Sequence, residues 1–274
     1  MTFAFQEYDS AARKPRAVEE LFELLANGPL IHALVERDIK IRYKRSVFGF
    51  LWTLMNPLAM LLVLSLAFTG VFARDAPDYP FFVISGLLLW NFISQTTMTV
   101  TREVSIGVDM WRRVRVPKSA LVVATTLTGL INLVLALGPL IVVLVLVGRP
   151  LDAALLTLPV VILLTALFVL GVALFLAAIA VYFPDIADIY QILLPALMFT
   201  APIVYPRTVA TPALSQLLRL NPMTLYVEAF RAPLYISDAP SFAAFAAMAL
   251  VALATLLVGW IAFTRSTDDI PYHV

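Results

Sequence analysis

Apolar residues in this chain do not alternate with polar ones; they run on. Residues 48–72, 81–101, 119–147, 153–181 and 241–264 are almost unbroken apolar stretches. Residues 191–205 form a sixth, shorter one bounded by proline. A bilayer-crossing helix needs about 20 such residues. Membrane-barrel strands run about 10 residues and alternate in polarity, which these stretches do not. Backbone in lipid must satisfy its own polar groups, so runs that are apolar all round predict helices. The expected fold is an all-α integral membrane protein with six transmembrane helices.

Polar positions divide the rest. Residues 1–47 carry 15 charged side chains, 7 acidic and 8 basic. They lack the short basic region and apolar stretch of a leader, so the first apolar run is expected to stay as an anchor. The reading assigns residues 1–28 to a cytoplasmic N-terminal segment and residues 29–47 to an amphipathic interfacial helix. A six-span domain follows over residues 48–264, then a cytoplasmic tail over 265–274. With both termini inside, the inner segments hold 14 Lys and Arg and the outer ones 5. Basic residues concentrate on the cytoplasmic side, so the expected orientation is N-in and C-in. Residues 191–237, rich in proline, suit one straight helix poorly and predict short re-entrant or interfacial helices on the outer side. Asn221 should cap a helix that begins at Pro222, and Glu228 and Arg231, three apart, can pair.

Composition agrees with this architecture. The 274 residues are 61% hydrophobic and only 14% charged, with a mean hydropathy of +0.92. That excludes a soluble enzyme and a disordered chain. A net charge of +1 implies no nucleic-acid partner. Without cysteine, thiol catalysis and Cys-based metal sites are excluded.

The six expected spans contain no Asp, Glu, Lys, Arg or His. An ion-coupled carrier keeps ionisable groups in the membrane to bind its coupling ion. No lysine sits in a phosphate-loop pattern, so energy for transport must come from another subunit. His32 and His273 read as structural or tail residues. Asp185 and Asp188 are too few to hold a catalytic metal, so no catalytic residue, metal ligand or bound cofactor is expected.

One stretch is distinctive: Arg37-Asp38-Ile39-Lys40-Ile41-Arg42-Tyr43-Lys44-Arg45-Ser46-Val47-Phe48-Gly49-Phe50-Leu51-Trp52, continuing to Asn56-Pro57. It resembles the opening of the permease subunits of ABC exporters for O-antigen, capsule and teichoic acid. Asp185-Ile186 and Asn221-Pro222-Met223-Thr224 with Glu228-Ala229-Phe230-Arg231 resemble two later elements of that family. Pro184 stands where the family often has a basic residue. The resemblance covers about residues 30–264. It implies a homodimer in the bacterial inner membrane with two separate ATPase subunits that bind the ATP and Mg. The implied cargo is a lipid-linked glycan of the undecaprenyl-diphosphate type. An ABC permease for a drug or lipid is the alternative, and an ion-coupled secondary carrier the third.

Three groups of residues are candidates for the work. Arg42, Lys44 and Arg45 can attract a lipid diphosphate, anchor the topology by charge, or contact an ATPase subunit. Residues 102–118 set Val108, Met110, Trp111 and Arg112 among charges. By resemblance this is the cytoplasmic coupling helix that docks on the ATPase; Trp111 can equally anchor at the membrane surface. Trp90, Asn91, Ser94 and Gln95 on the second span, with Asn132 on the third, either line a path for sugar rings or hold helices together.

Overall fold

The structure is a computed structural model and describes residues 16–43, 51–72, 78–111, 117–146 and 152–269. The described residues are mostly helical, and there are no strands among them. The helices are α1 (Arg16–Ala26), α2 (Gly28–Tyr43), α3 (Leu51–Phe72), α4 (Tyr79–Trp111), α5 (Ser119–Leu146) and α6 (Leu158–Tyr182). Then come α7 (Ile186–Phe199), α8 (Pro212–Leu220), α9 (Pro222–Arg231) and α10 (Phe242–Asp269). A 3-10 turn at Ala153–Thr157 leads into α6, and a π turn at Ala232–Ile236 follows α9.

Among the described residues, four stretches are long and apolar enough to cross a bilayer: Tyr79–Ile106, Ser119–Val142, Ala153–Tyr182 and Phe242–Ser266. The apolar stretches Leu58–Phe72 and Ile186–Phe199 are shorter. Helix α7 begins five residues before the expected span at 191, and its chain turns at Thr200 rather than Tyr205.

Helix α4 is the hub. It packs against α3, α5, α6, α7 and α9. Between Tyr79 and Thr101 it exposes a single residue, Gln95. Its hydroxyls serve their own helix: Ser94 donates to the Trp90 carbonyl at 2.8 Å and Thr101 to the Thr97 carbonyl at 2.7 Å. That removes the cost of carrying hydroxyls in an apolar setting. Rather than ending near residue 101, α4 continues through Arg102 and Glu103 to Trp111. Arg102 donates to Gln191 of α7 at 2.9 Å, and Thr125 of α5 donates to Glu103 at 3.2 Å.

Helices α6 and α10 pack closely along their lengths. Gly171 and Gly259 permit the contact: a Cβ on Gly171 would lie 2.5 Å from the Leu256 nitrogen, and one on Gly259 would strike the Gly171 carbonyl. Ala173, Leu174, Ala177 and Phe263 fill the adjoining core.

The N-terminal region departs from expectation. The helix expected from residue 29 is α2, which begins at Gly28; ahead of it α1 adds a helix in the segment read as polar, and α1, not α2, is the one with a segregated apolar face. Glu20 of α1 accepts from the Ser119 N–H at 3.0 Å and from its hydroxyl at 2.7 Å. Trp260 of α10 donates to the Ala17 carbonyl at 3.0 Å.

Candidate functional site

A cavity of about 390 Å³ opens between α2, α4 and α5. One wall is the face of α4 bearing Asn91, Gln95, Thr99 and Glu103, residues spaced by four so that they stack along the helix. Thr125, Thr128, Gly129 and Asn132 of α5 form the opposite wall. Arg37, Asp38, Ile41 and Arg42 of α2 close one end. Gly129 keeps the walls close: a Cβ there would collide with the Thr96 hydroxyl. A second cavity, about 470 Å³, lies on the α7 side of α4 and shares Gln95, Thr99 and Glu103 with the first.

Several lining groups have no hydrogen bond within the protein. Among the described residues, Asn91 and Gln95 donate to and accept from nothing. The Thr128 hydroxyl is buried without a partner. Free amides and a free hydroxyl at span depth are costly unless water, a ligand or another chain meets them. At the α2 end, Arg37 bonds to Asp38 at 2.8 Å, whereas Arg42 makes no ion pair among the described residues. On the outward side of α2, Lys40 bonds to Glu36, and that hydrogen bond holds the Glu36 carboxyl below its ordinary range.

Asn91, Gln95 and Asn132 therefore meet in one cavity, and Arg42 stands at its end. Trp90 does not line it; the indole is buried in the core among α4's neighbours. Ser94 faces the second cavity and is already bonded to its own helix. Lys44, Arg45 and Arg112 lie outside the described residues. Val108, Met110 and Trp111 fall in the last turns of α4, and their side chains lie outside the description. Asp185 precedes α7 and Asp188 lies in its first turn. Among the described residues no three His, Asp or Glu side chains could share a metal ion.

Where α4 begins, the chain builds a second polar assembly that the sequence only half disclosed. Asn221 caps α9 by accepting from the Met223 N–H at 2.9 Å, as its position before Pro222 predicts. Its amide also donates to the Thr200 carbonyl at 3.0 Å. Glu228 pairs with Arg207 at 3.0 Å, not with Arg231. Arg231 turns inward and is 4% exposed. It donates to the carbonyls of Pro202 at 2.7 Å and Ile203 at 3.2 Å, and to Ser85 at 3.3 Å. Its guanidinium lies 3.7 Å from the centre of the Phe82 ring. Gly86 leaves the room, since a Cβ there would come within 2.7 Å of the guanidinium. Tyr79 adds a bond to the Val204 carbonyl at 2.6 Å. Asn221, Glu228 and Arg231 thus hold residues 200–207 against the start of α4. The spacing of Glu228 and Arg231 suggested a local pair; only the fold shows the arginine buried among neutral acceptors.

Residues 29–235 match the family model described as ABC-2 type transporter. The chain is 35% identical over 243 residues to the O-antigen export system permease protein RfbA of Myxococcus xanthus, covering 87% of this chain and 92% of that protein. It is 22% identical to a protein of the same description from Klebsiella pneumoniae, over 77% and 80% of the two chains. It is 27% identical to the polysialic acid transport protein KpsM of Escherichia coli, over 87% and 93%. The hub helix, the cavity beside it and the α9 assembly all lie inside the matched segment, and the chain belongs to the ABC-2 type transporter family.

Proposed function

We propose that this chain is the membrane permease of an ABC transporter that exports a lipid-linked polysaccharide. The observation that carries the reading is the set of unpartnered Asn91, Gln95 and Thr128 in a cavity that ends at Arg42. Amides and hydroxyls exchange hydrogen bonds with sugar hydroxyls at little net cost, and a guanidinium recognises phosphate. The printed functions of the relatives, O-antigen export and polysialic acid transport, support the same cargo class.

In this reading α3 and α7 join the four longer helices to give six spans, with both termini cytoplasmic. Two copies form the pathway in the bacterial inner membrane, and two separate ATPase subunits dock near residues 102–118. Arg42, with Lys44 and Arg45, draws the lipid diphosphate to the cytoplasmic edge. The polar face of α4 then receives the sugar. The chain itself performs no chemistry on the cargo, and ATP with its Mg belongs to the partner subunit.

The test is surface glycan in cells that lack the native gene and carry variants. Asn91→Ala with Gln95→Ala should reduce export while membrane levels of the protein stay normal. Full export by that variant overturns the assignment of this cavity. ATP hydrolysis by the purified chain alone overturns the division of labour.

A further inference from the structure

The membrane-length stretch of α4 runs to Ile106 and so carries two charged side chains, Arg102 and Glu103. Ionisable groups in such a stretch are costly and mark function by default. Arg102 is exposed and bonds to Gln191 of α7. Glu103 differs. It is half-buried and lines both cavities. Its Oε2 accepts from the Thr125 hydroxyl at 3.2 Å, a long bond. Its Oε1 accepts from nothing among the described residues, and the carboxylate makes no ion pair there. A carboxylate offers about four acceptor sites, so most of them stand open to a donor from outside the chain.

Position says which donor. Glu103, Thr99, Gln95 and Asn91 recur every four residues on one wall, about 6 Å apart along the helix. Glu103 stands at the α2 end, within electrostatic reach of Arg37 and Asp38. Arg37 and Asp38 neutralise each other. Among the described residues of the cavity this leaves Arg42 as the unpaired cation and Glu103 as the unpaired anion. A ligand that suits both carries a negative group and, beside it, hydroxyls. Hydrogen bonds from hydroxyls to a carboxylate are about twice as strong as those between neutral groups. A second anion beside the carboxylate would instead be repelled across a half-enclosed, weakly screened space.

We propose that Glu103 is a specificity residue: it accepts the hydroxyls of the sugar next to the diphosphate held at Arg42, and so admits a neutral first sugar and rejects an acidic one. The inference rests on the export reading and names which cargo that site takes. Sugars deeper along α4 meet the neutral Thr99, Gln95 and Asn91, so the discrimination falls on the first sugar.

The test is binding of three undecaprenyl-diphosphate lipids to the purified complex with its ATPase subunits in nanodiscs. One lipid is bare, one ends in N-acetylglucosamine and one in glucuronic acid. The native complex should prefer the neutral sugar to the acidic one. Glu103→Gln keeps the shape of the side chain and removes its charge. It should weaken the neutral-sugar lipid about tenfold, the step from a charged to a neutral acceptor. It should tighten the acidic-sugar lipid and not weaken the bare one. Glu103→Asp keeps the charge and should still reject the acidic sugar. Equal losses for all three lipids in Glu103→Gln would make the residue a clasp on α5 and overturn the proposal. So would an unchanged preference between the two sugars in that variant, or loss of the preference in Glu103→Asp. Failure of the native complex to bind even the bare lipid is a different result: it removes the export reading, and this proposal with it.

Discussion

Gly259 of α10 sits against the carbonyl of Gly171 on α6 so closely that neither position has room for a methyl group. Close backbone approach replaces the hydrophobic effect as the source of helix association in lipid, because tails are as apolar as leucine. Gly259→Leu should therefore push the two helices apart and cost about 1–3 kcal/mol. Thermal unfolding of the detergent-solubilised chain would show it as a lower midpoint. Gly70, where a Cβ would meet nothing within 4 Å, is the control, and Gly70→Ala should not lower the midpoint.

Arg231 supports the segment at residues 200–207 through two backbone carbonyls. Arg231→Ala leaves those buried acceptors unsatisfied, at a cost of about 2 kcal/mol or more. Arg231→Lys should recover only part of this, since an ammonium cannot bond two carbonyls and lie flat over Phe82 at once. Pro202→Ala retains the acceptor carbonyl and should behave close to the native chain. The measurement is again thermal unfolding, with release of monodisperse protein from membranes beside it.

Trp90 and Gln95 should separate cleanly. Trp90→Ala empties a core position, with a cost of about 3–5 kcal/mol, and should lower the amount of protein in the membrane. Gln95→Ala removes an exposed, unpartnered amide and should leave the amount unchanged while export falls. Quantifying protein and surface glycan in the same cells distinguishes the two.

The Arg42 guanidinium is exposed at the end of the cavity and unpaired among the described residues. Arg42→Ala should weaken binding of a diphosphate lipid to the purified complex. Binding to the native chain should fall as salt rises, and the variant should be less salt-sensitive, because a screened charge contact has been removed. An unchanged salt profile would leave Arg42 as a topological anchor.

Orientation is open to labelling in intact cells. Ala239→Cys, between the π turn and α10, should react with an impermeant thiol reagent from outside. Gly107→Cys, near the far end of α4, should stay unlabelled until the membrane is opened.

Much of the fold could be read locally. The stretch expected at residues 119–147 is α5, Ser119–Leu146, because uninterrupted hydropathy between polar ends decides a span by itself. Asn221 before Pro222 was equally legible, since a cap involves only its neighbours. The end of α4 was not: Arg102 and Glu103 break the hydropathy, but partners on α7 and α5 carry the helix past them. Glu228 and Arg231 had the right spacing to pair, and tertiary structure gave Glu228 to Arg207 instead. At the site, the amides of Asn91, Gln95 and Asn132 were foreseen as a polar set. Trp90 joins that set for its aromatic ring at mid-span, yet one residue along a helix is a 100° turn, and it faces the core. The apolar period at residues 18, 21, 22 and 25 is present but short, and it lies within the charged segment read as a cytoplasmic N-terminus.

The 33 residues of α4 span about 50 Å, well beyond the roughly 30 Å of a hydrocarbon core. Pro139 interrupts α5 and Pro195 interrupts α7, whereas the one proline of α4 is its second residue, Pro80. An unbroken helix is stiff on this scale, and bends concentrate where prolines free a backbone bond. α4 is therefore one continuous rod: no proline interrupts it between Trp111, Gln95 and the Phe82 ring beneath Arg231.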